Sequence, residues 1–130
     1  MFFDTDCAGV VHNIAYLRMI ETCRTHLGAE MGMDFKSMEN SQLYPAVVRT
    51  EVDYRIPAKL GDKLVIHGKL DKLEGARFWC SFVITLMGEK RPLITCRQCL
   101  VMVQMRPGKP GKPTRLPQNW KDQWGAGLET

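Results

Sequence analysis

Asn13-Ile14-Ala15-Tyr16-Leu17-Arg18-Met19-Ile20-Glu21-Thr22-Cys23-Arg24-Thr25-His26-Leu27 is the one long segment of this chain with a helical period. Tyr16, Ile20, Cys23 and Leu27 recur at helical spacing, which puts them on one face. Leu17 widens that stripe, and Arg18, Glu21, Thr22 and Thr25 occupy the other side. Asn13 is a good N-cap, because its side-chain oxygen can accept an amide that the first turn leaves open. Gly28 stands where a left-handed glycine would end the helix. Asp34 to Met38 adds a short helical turn.

Beyond that point the apolar period falls to two. Val48, Thr50, Val52, Tyr54 and Ile56 alternate with Arg49, Glu51, Asp53 and Arg55, up to a break at Pro57. Leu60-Gly61-Asp62 turns the chain. Leu64, Ile66 and Leu70 then alternate with Lys63, His67 and Lys69. Glu74-Gly75 turns it again, and Phe78, Cys80, Phe82, Ile84 and Leu86 follow at even spacing. Gly88 to Pro92 makes the next turn. Leu93 to Met105 is apolar on both faces, so it reads as a central or covered strand. Pro107-Gly108-Lys109-Pro110-Gly111-Lys112-Pro113 lacks donors at its prolines and reads as irregular. Four long strands joined by short turns give an antiparallel sheet. With one helix to cover a face, the expected architecture is α+β, the sheet wrapped around the helix.

The 130 residues make one domain, 1–130, whose stretch 107–130 is a basic tail, irregular apart from a possible short helix. Apolar residues at 45 % and charged residues at 25 % are ordinary globular values, which exclude a disordered tail or a collagen. No window is apolar and long enough for a membrane span. The opening Met1-Phe2-Phe3-Asp4-Thr5-Asp6 lacks the basic region of a secretory signal. The cysteines are Cys7, Cys23, Cys80, Cys96 and Cys99. Cys96 and Cys99 point to opposite faces of a strand, and a zinc ribbon needs a second such pair. They read as buried free thiols of a reducing, cytoplasmic compartment, and no metal is expected. The net charge of +4 is concentrated late, with Arg106, Lys109, Lys112, Arg115 and Lys121 facing only Asp122 and Glu129. That suits a phosphate-bearing ligand or simple solvation. Trp120 and Trp124 form no basic–aromatic stripe, so nucleic acid is not an expected partner.

The chemistry-bearing stretch is Asp4-Thr5-Asp6-Cys7-Ala8-Gly9-Val10-Val11-His12-Asn13-Ile14-Ala15-Tyr16. Two carboxylates precede a small glycine-containing loop that enters the helix. The helix start offers open N–H groups and the positive end of a dipole, suited to a developing oxyanion. A carboxylate beside it can act as nucleophile or general base. Taken alone, Asp-x-Asp before a helix is more often a turn or cap.

The stretch resembles the signature of the 4-hydroxybenzoyl-CoA thioesterase family of hotdog-fold acyl-CoA thioesterases. Asp4, Asp6, Gly9, Val10, Val11 and Tyr16 match it. Val52-Asp53-Tyr54-Arg55-Ile56-Pro57-Ala58 with Gly61-Asp62 is similar to the family's second strand and turn, and Thr114-Arg115-Leu116-Pro117 resembles its usual ending. The resemblance implies a hotdog fold and hydrolysis of a small or medium acyl-CoA to free acid and CoA. It puts the catalytic carboxylate on Asp6 and the oxyanion-holding backbone N–H on Asn13. Many members carry His where Asn13 stands; here His12 lies one place earlier. An ordinary Asp pKa near ~3.9 leaves Asp6 ionised at neutral pH, which favours the nucleophile over the base without excluding the latter. Gly9, Val11, His12 and Tyr16 are the expected substrate contacts, and Lys90 and Arg91 candidate partners of the CoA phosphates. Asp4 reads as structural. On residue type alone, His12 reads first as a plain loop histidine and Tyr16 as a core residue.

No cofactor is implied beyond the coenzyme A of the substrate. The family closes its sheet edges by association and places the site between subunits, so a homodimer or homotetramer is expected. Members have a full strand before the first Asp. Here only Met1, Phe2 and Phe3 precede it, so that strand is either a stub or begins upstream. Two other readings stay open: a non-catalytic acyl-CoA-binding hotdog module, and a hotdog dehydratase or hydratase using His12.

Overall fold

The computed structural model describes residues 13–59, 61–117, 119, 120 and 123. The expected helix is α1, Asn13–Glu30, followed by α2, Phe35–Ser41. The strands are β1 (Leu43–Tyr54), β2 (Leu64–Glu74), β3 (Arg77–Leu86), β4 (Pro92–Arg106) and β5 (Lys109–Pro113). They form one antiparallel sheet in the order β1-β4-β3-β2, with β5 paired to the far end of β4. This α+β arrangement, a long helix against an antiparallel sheet, is the hotdog fold.

Three local expectations are corrected. Gly28 does not end α1. The helix continues to Glu30 and stops at Gly32, whose φ of 85° suits glycine. Gly32 N–H donates to Ala29 O at 3.1 Å and Met33 N–H to Gly28 O at 2.7 Å, the paired bonds of a Schellman stop. Leu17 is not part of the core stripe; it is exposed, because its position turns off the buried face of Tyr16, Ile20, Cys23 and Leu27. The segment 109–113 is not irregular. It folds back on β4 across a tight turn, with Gln104 opposite Lys112 and Val103 opposite Pro113. Its prolines are tolerated because this strand lies at the sheet's margin. Gly111 is needed there, since a Cβ would lie 2.5 Å from Val103 Cγ1.

The core lies between α1 and the helix-facing residues of β3 and β4. Phe78, Phe82 and Ile84 pair across the ladder with Leu100, Cys96 and Ile94. Gly68 lets β2 approach the helix: a Cβ there would sit 2.8 Å from both Cys23 Sγ and the Phe82 ring. On the opposite face of the sheet, Asp71 accepts Ser81 Oγ–H and Arg97 Nε–H, each at 2.9 Å, and Arg97 lies over the Trp79 ring. The chain after β5 crosses the β2–β3 turn, where Leu116 N–H donates to Gly75 O, and seats Trp120 against Phe78.

β4 is central, as its two apolar faces suggest, and Cys96 and Cys99 point to opposite sides of it. β1 lies at an edge and is less covered than its alternation suggests. Val48 is 56 % and Tyr54 47 % exposed, and a bulge between Val47 and Arg49 breaks the register at Val48. Among the described residues, no helix is long and apolar enough to cross a membrane.

Candidate active site at the start of the long helix

The expected site residues Asp4, Asp6, Gly9, Val11 and His12, and the neighbouring Cys7, lie outside the described residues. The described part of the site therefore begins with the backbone of Asn13, the first residue of α1. The amides of the first helical turn have no carbonyl one turn behind them, so this end offers donors and a partial positive charge.

Tyr16 fixes where that end points. The residue is buried, and its hydroxyl accepts the Ala58 N–H at 2.8 Å, a bond sealed inside the protein. Its ring lies 6.1 Å from that of Tyr54, tilted by 51°. The structure thus seats Tyr16 among core side chains and ties the helix start to the segment after β1. Sequence spacing indicated the buried face but not the Ala58 partner, which is 42 positions away.

Register brings several loops to the same end. Tyr54 pairs with Ile94 and Leu64 with Leu86, so the 55–63 connection and the 87–91 turn sit together. Lys90 and Arg91 are exposed in that turn. Arg55, Lys59 and Lys63, which no motif singled out, are exposed in the neighbouring connection. Within it, Asp62 Oδ2 accepts the Lys59 N–H at 2.7 Å, tightening the turn. The result is a cationic rim on the side of the molecule where α1 begins.

Beside α1, a groove of about 460 Å³ starts at Ala15 and follows Met19, Thr22, Cys23 and His26, with Ile66 of β2 as its far wall. These positions advance by three or four residues, so the groove tracks one helix face for three turns. Burial, and then the Glu30 carboxylate, push the Cys23 thiol up, which keeps it a neutral, apolar part of the wall. Among the described residues, no three His, Cys, Asp or Glu side chains gather in a way that could hold a metal ion. The described cysteines are all free; Cys80, Cys96 and Cys99 are buried and Cys23 is half-buried.

Comparison with known proteins agrees with this architecture. The chain is 31 % identical over 99 residues to the long-chain acyl-CoA thioesterase FadM of Escherichia coli, covering 76 % of this chain and 74 % of that protein. It is 32 % identical over 74 residues to the acyl-CoA thioesterase YbgC of Haemophilus influenzae. That match covers 56 % of this chain and spans about half, 54 %, of the relative's length. Among solved structures, the probable thioesterase YbaW of Escherichia coli superposes with a TM-score of 0.79 at 28 % identity, over 92 % of this chain and 87 % of that one. The family model of the thioesterase-like superfamily matches residues 2–124, nearly the whole sequence, and the chain belongs to that superfamily.

Proposed function

We propose that the protein hydrolyses the thioester of a small or medium acyl-CoA, releasing the free acid and coenzyme A. The observation that carries this reading is the start of α1 at Asn13, immediately after the Asp4-x-Asp6 loop, in a chain of the thioesterase-like superfamily. The acyl carbonyl oxygen is held by the Asn13 N–H and the helix dipole. The Asp6 carboxylate attacks the carbonyl carbon, and the carbon–sulfur bond breaks to release the thiolate of coenzyme A. Water then hydrolyses the mixed anhydride and regenerates the carboxylate. Alternatively, Asp6 takes a proton from water, which attacks directly. Gly9, Val11 and His12 surround the reacting end, Tyr16 braces it from within the core, and the groove from Ala15 to His26 receives an extended arm of the substrate. The Lys90 and Arg91 cations, joined by Arg55, Lys59 and Lys63, meet the phosphates.

The functional unit in this reading is at least a dimer, and a tetramer fits the same logic. β1 is bonded on one side only among the described residues, and its open edge exposes Val48 and Tyr54. The free buried thiols support a reducing, cytoplasmic setting.

Thiol release from a panel of acyl-CoAs tests the reading. Asp6→Asn is expected to lower the rate at least about 100-fold, the usual scale for a lost base or nucleophile, with an unchanged circular dichroism spectrum. Full activity in that variant removes Asp6 from the mechanism. Tight binding with no thiol release identifies an acyl-CoA-binding module, and loss or addition of water a dehydratase or hydratase.

A further inference from the structure

At the other end of α1, about 16 Å from Asn13 at 1.5 Å per residue, Arg24 borders a second cavity. Its volume is about 230 Å³, and it lies between the last turns of α1, the short helix α2 and the start of β1. Leu27, Met31, Met33 and Met38 make its walls, and Phe78 and Leu100 belong to its floor. Arg24, Leu27, Gly28 and Met31 follow at three- and four-residue steps, so one helix face supplies that side.

Arg24 is out of place in such a lining unless something engages it. One of its N–H groups donates to Gln98 Oε1 at 2.9 Å, and Gln98, itself only 5 % exposed, donates onward to Thr50 Oγ1 at 3.3 Å. This chain of bonds holds the guanidinium in place. Its ionic partner, Glu21, stands 3.8 Å away with a side chain 66 % exposed, a distance and setting at which an ion pair is weak. A guanidinium has five N–H donors in a fixed fork that matches a carboxylate. Several of those donors remain for a ligand at the cavity wall.

The apolar part is adaptable. Met31, Met33 and Met38 also border an adjoining cavity of about 270 Å³ that reaches Leu43, Met102 and Trp120. Three unbranched methionines between two cavities can swing either way to fit a flexible chain. An apolar cavity of about 150 Å³ accommodates a six-carbon ring, so the first cavity alone suits on the order of eight carbons.

We propose that this cavity binds a medium-chain monocarboxylate, with its carboxylate on Arg24 and its hydrocarbon tail among Met31, Met33 and Met38. The ligand has the chemistry of the acid that thioester hydrolysis would release, yet the argument rests only on the cavity and stands whether or not the protein hydrolyses thioesters.

Octanoate and 1-octanol, titrated into full-length protein carrying 13C-labelled methionine methyls, test the site by NMR. Octanoate is expected to saturate, moving the Met31, Met33 and Met38 signals and leaving that of Met19, which lines the separate groove beside α1. Arg24→Met is expected to weaken octanoate at least tenfold while 1-octanol, which has no charge to pair, binds as before. Met38→Trp fills the cavity and removes binding of both, which keeps the test open should the Arg24 variant fold poorly. Octanoate that moves Met19 instead, does not saturate, or binds Arg24→Met as well as the parent overturns the proposal. No turnover is read, so a failed hydrolysis assay leaves this measurement intact.

Discussion

Tyr16 shows how much one oxygen can decide. Its hydroxyl is the acceptor for the buried Ala58 N–H. In Tyr16→Phe that amide loses its partner in a site closed to water, which costs about 1–3 kcal/mol. Urea unfolding is expected to show that loss as a lower midpoint with an unchanged slope. A second expectation concerns buried sulfur. Burial pushes the Cys80 thiol from its ordinary 9.0 up to about 12, with Arg24 pulling more weakly the other way. Cys96 is raised to about 11, again by burial against the pull of Arg24. Above pH 9 the unfolded chain releases these protons and the folded chain keeps them, so the unfolded state binds fewer. The stability contributed by the neutral thiols is complete below pH 9 and is lost as pH rises towards 12. Cys80 alone gives a decline of about 1.4 kcal/mol per pH unit in that window. Denaturation at pH 8, 9, 10 and 11 measures it, and a flat profile would mean that Cys80 ionises within the fold. At this scale the sequence was a partial guide. The helical spacing of Tyr16 shows that it is buried, whereas Ala58 is joined to it by tertiary structure alone. The role of Asp6 is visible only through likeness to a family, since Asp-x-Asp is also an ordinary turn.

Among the elements, the approach of β2 to α1 is the most exacting. Gly68 faces Cys23 Sγ and the buried Phe82 ring at distances that no Cβ tolerates. Gly68→Ala is expected to push the helix from the sheet and destabilise the protein by about 1–3 kcal/mol, the usual cost of overpacking. Thermal melting checks this, with Gly75→Asn, at an open turn with positive φ, as the tolerated control. The period-two runs of β2, β3 and β4 were legible because each buries one face or both. The first residues of β1 were not: Leu43 to Val47 include Pro45 and lack clean alternation, and only pairing with β4 makes them a strand. β5 escaped for a related reason. Proline and glycine signal a loop, and here the ladder of Val103 and Gln104 overrides that signal. The end of α1 was misplaced by three residues, Leu27 against Glu30, because two glycines, Gly28 and Gly32, compete for the stop; only Gly32 has the positive φ it requires.

For the molecule as a whole, the edge of β1, unpaired among the described residues, is the feature that calls for a partner. Unpaired strand edges with apolar side chains associate unless they are blunted by charge. Light scattering is expected to give at least twice the 14.8 kDa of one chain, and Val48→Lys to shift the protein towards a single chain without unfolding it. A single-chain mass for the parent would remove the intersubunit site from the functional reading. The class of fold was legible from one helix and a run of alternating strands. The clustering of Arg55, Lys59 and Lys63 with Lys90 and Arg91 was not, because the connections that carry them are brought together by strand register. The seating of Trp120 has its own consequence. Its indole meets the Phe78 ring edge-on at 5.2 Å in the interior, while Trp79 lies under Arg97 on the outer sheet. Two of the three tryptophans therefore watch opposite sides of one β-layer, and in a Trp124→Phe background a soluble quencher that dims Trp79 first would distinguish an event at the surface from one that opens the centre.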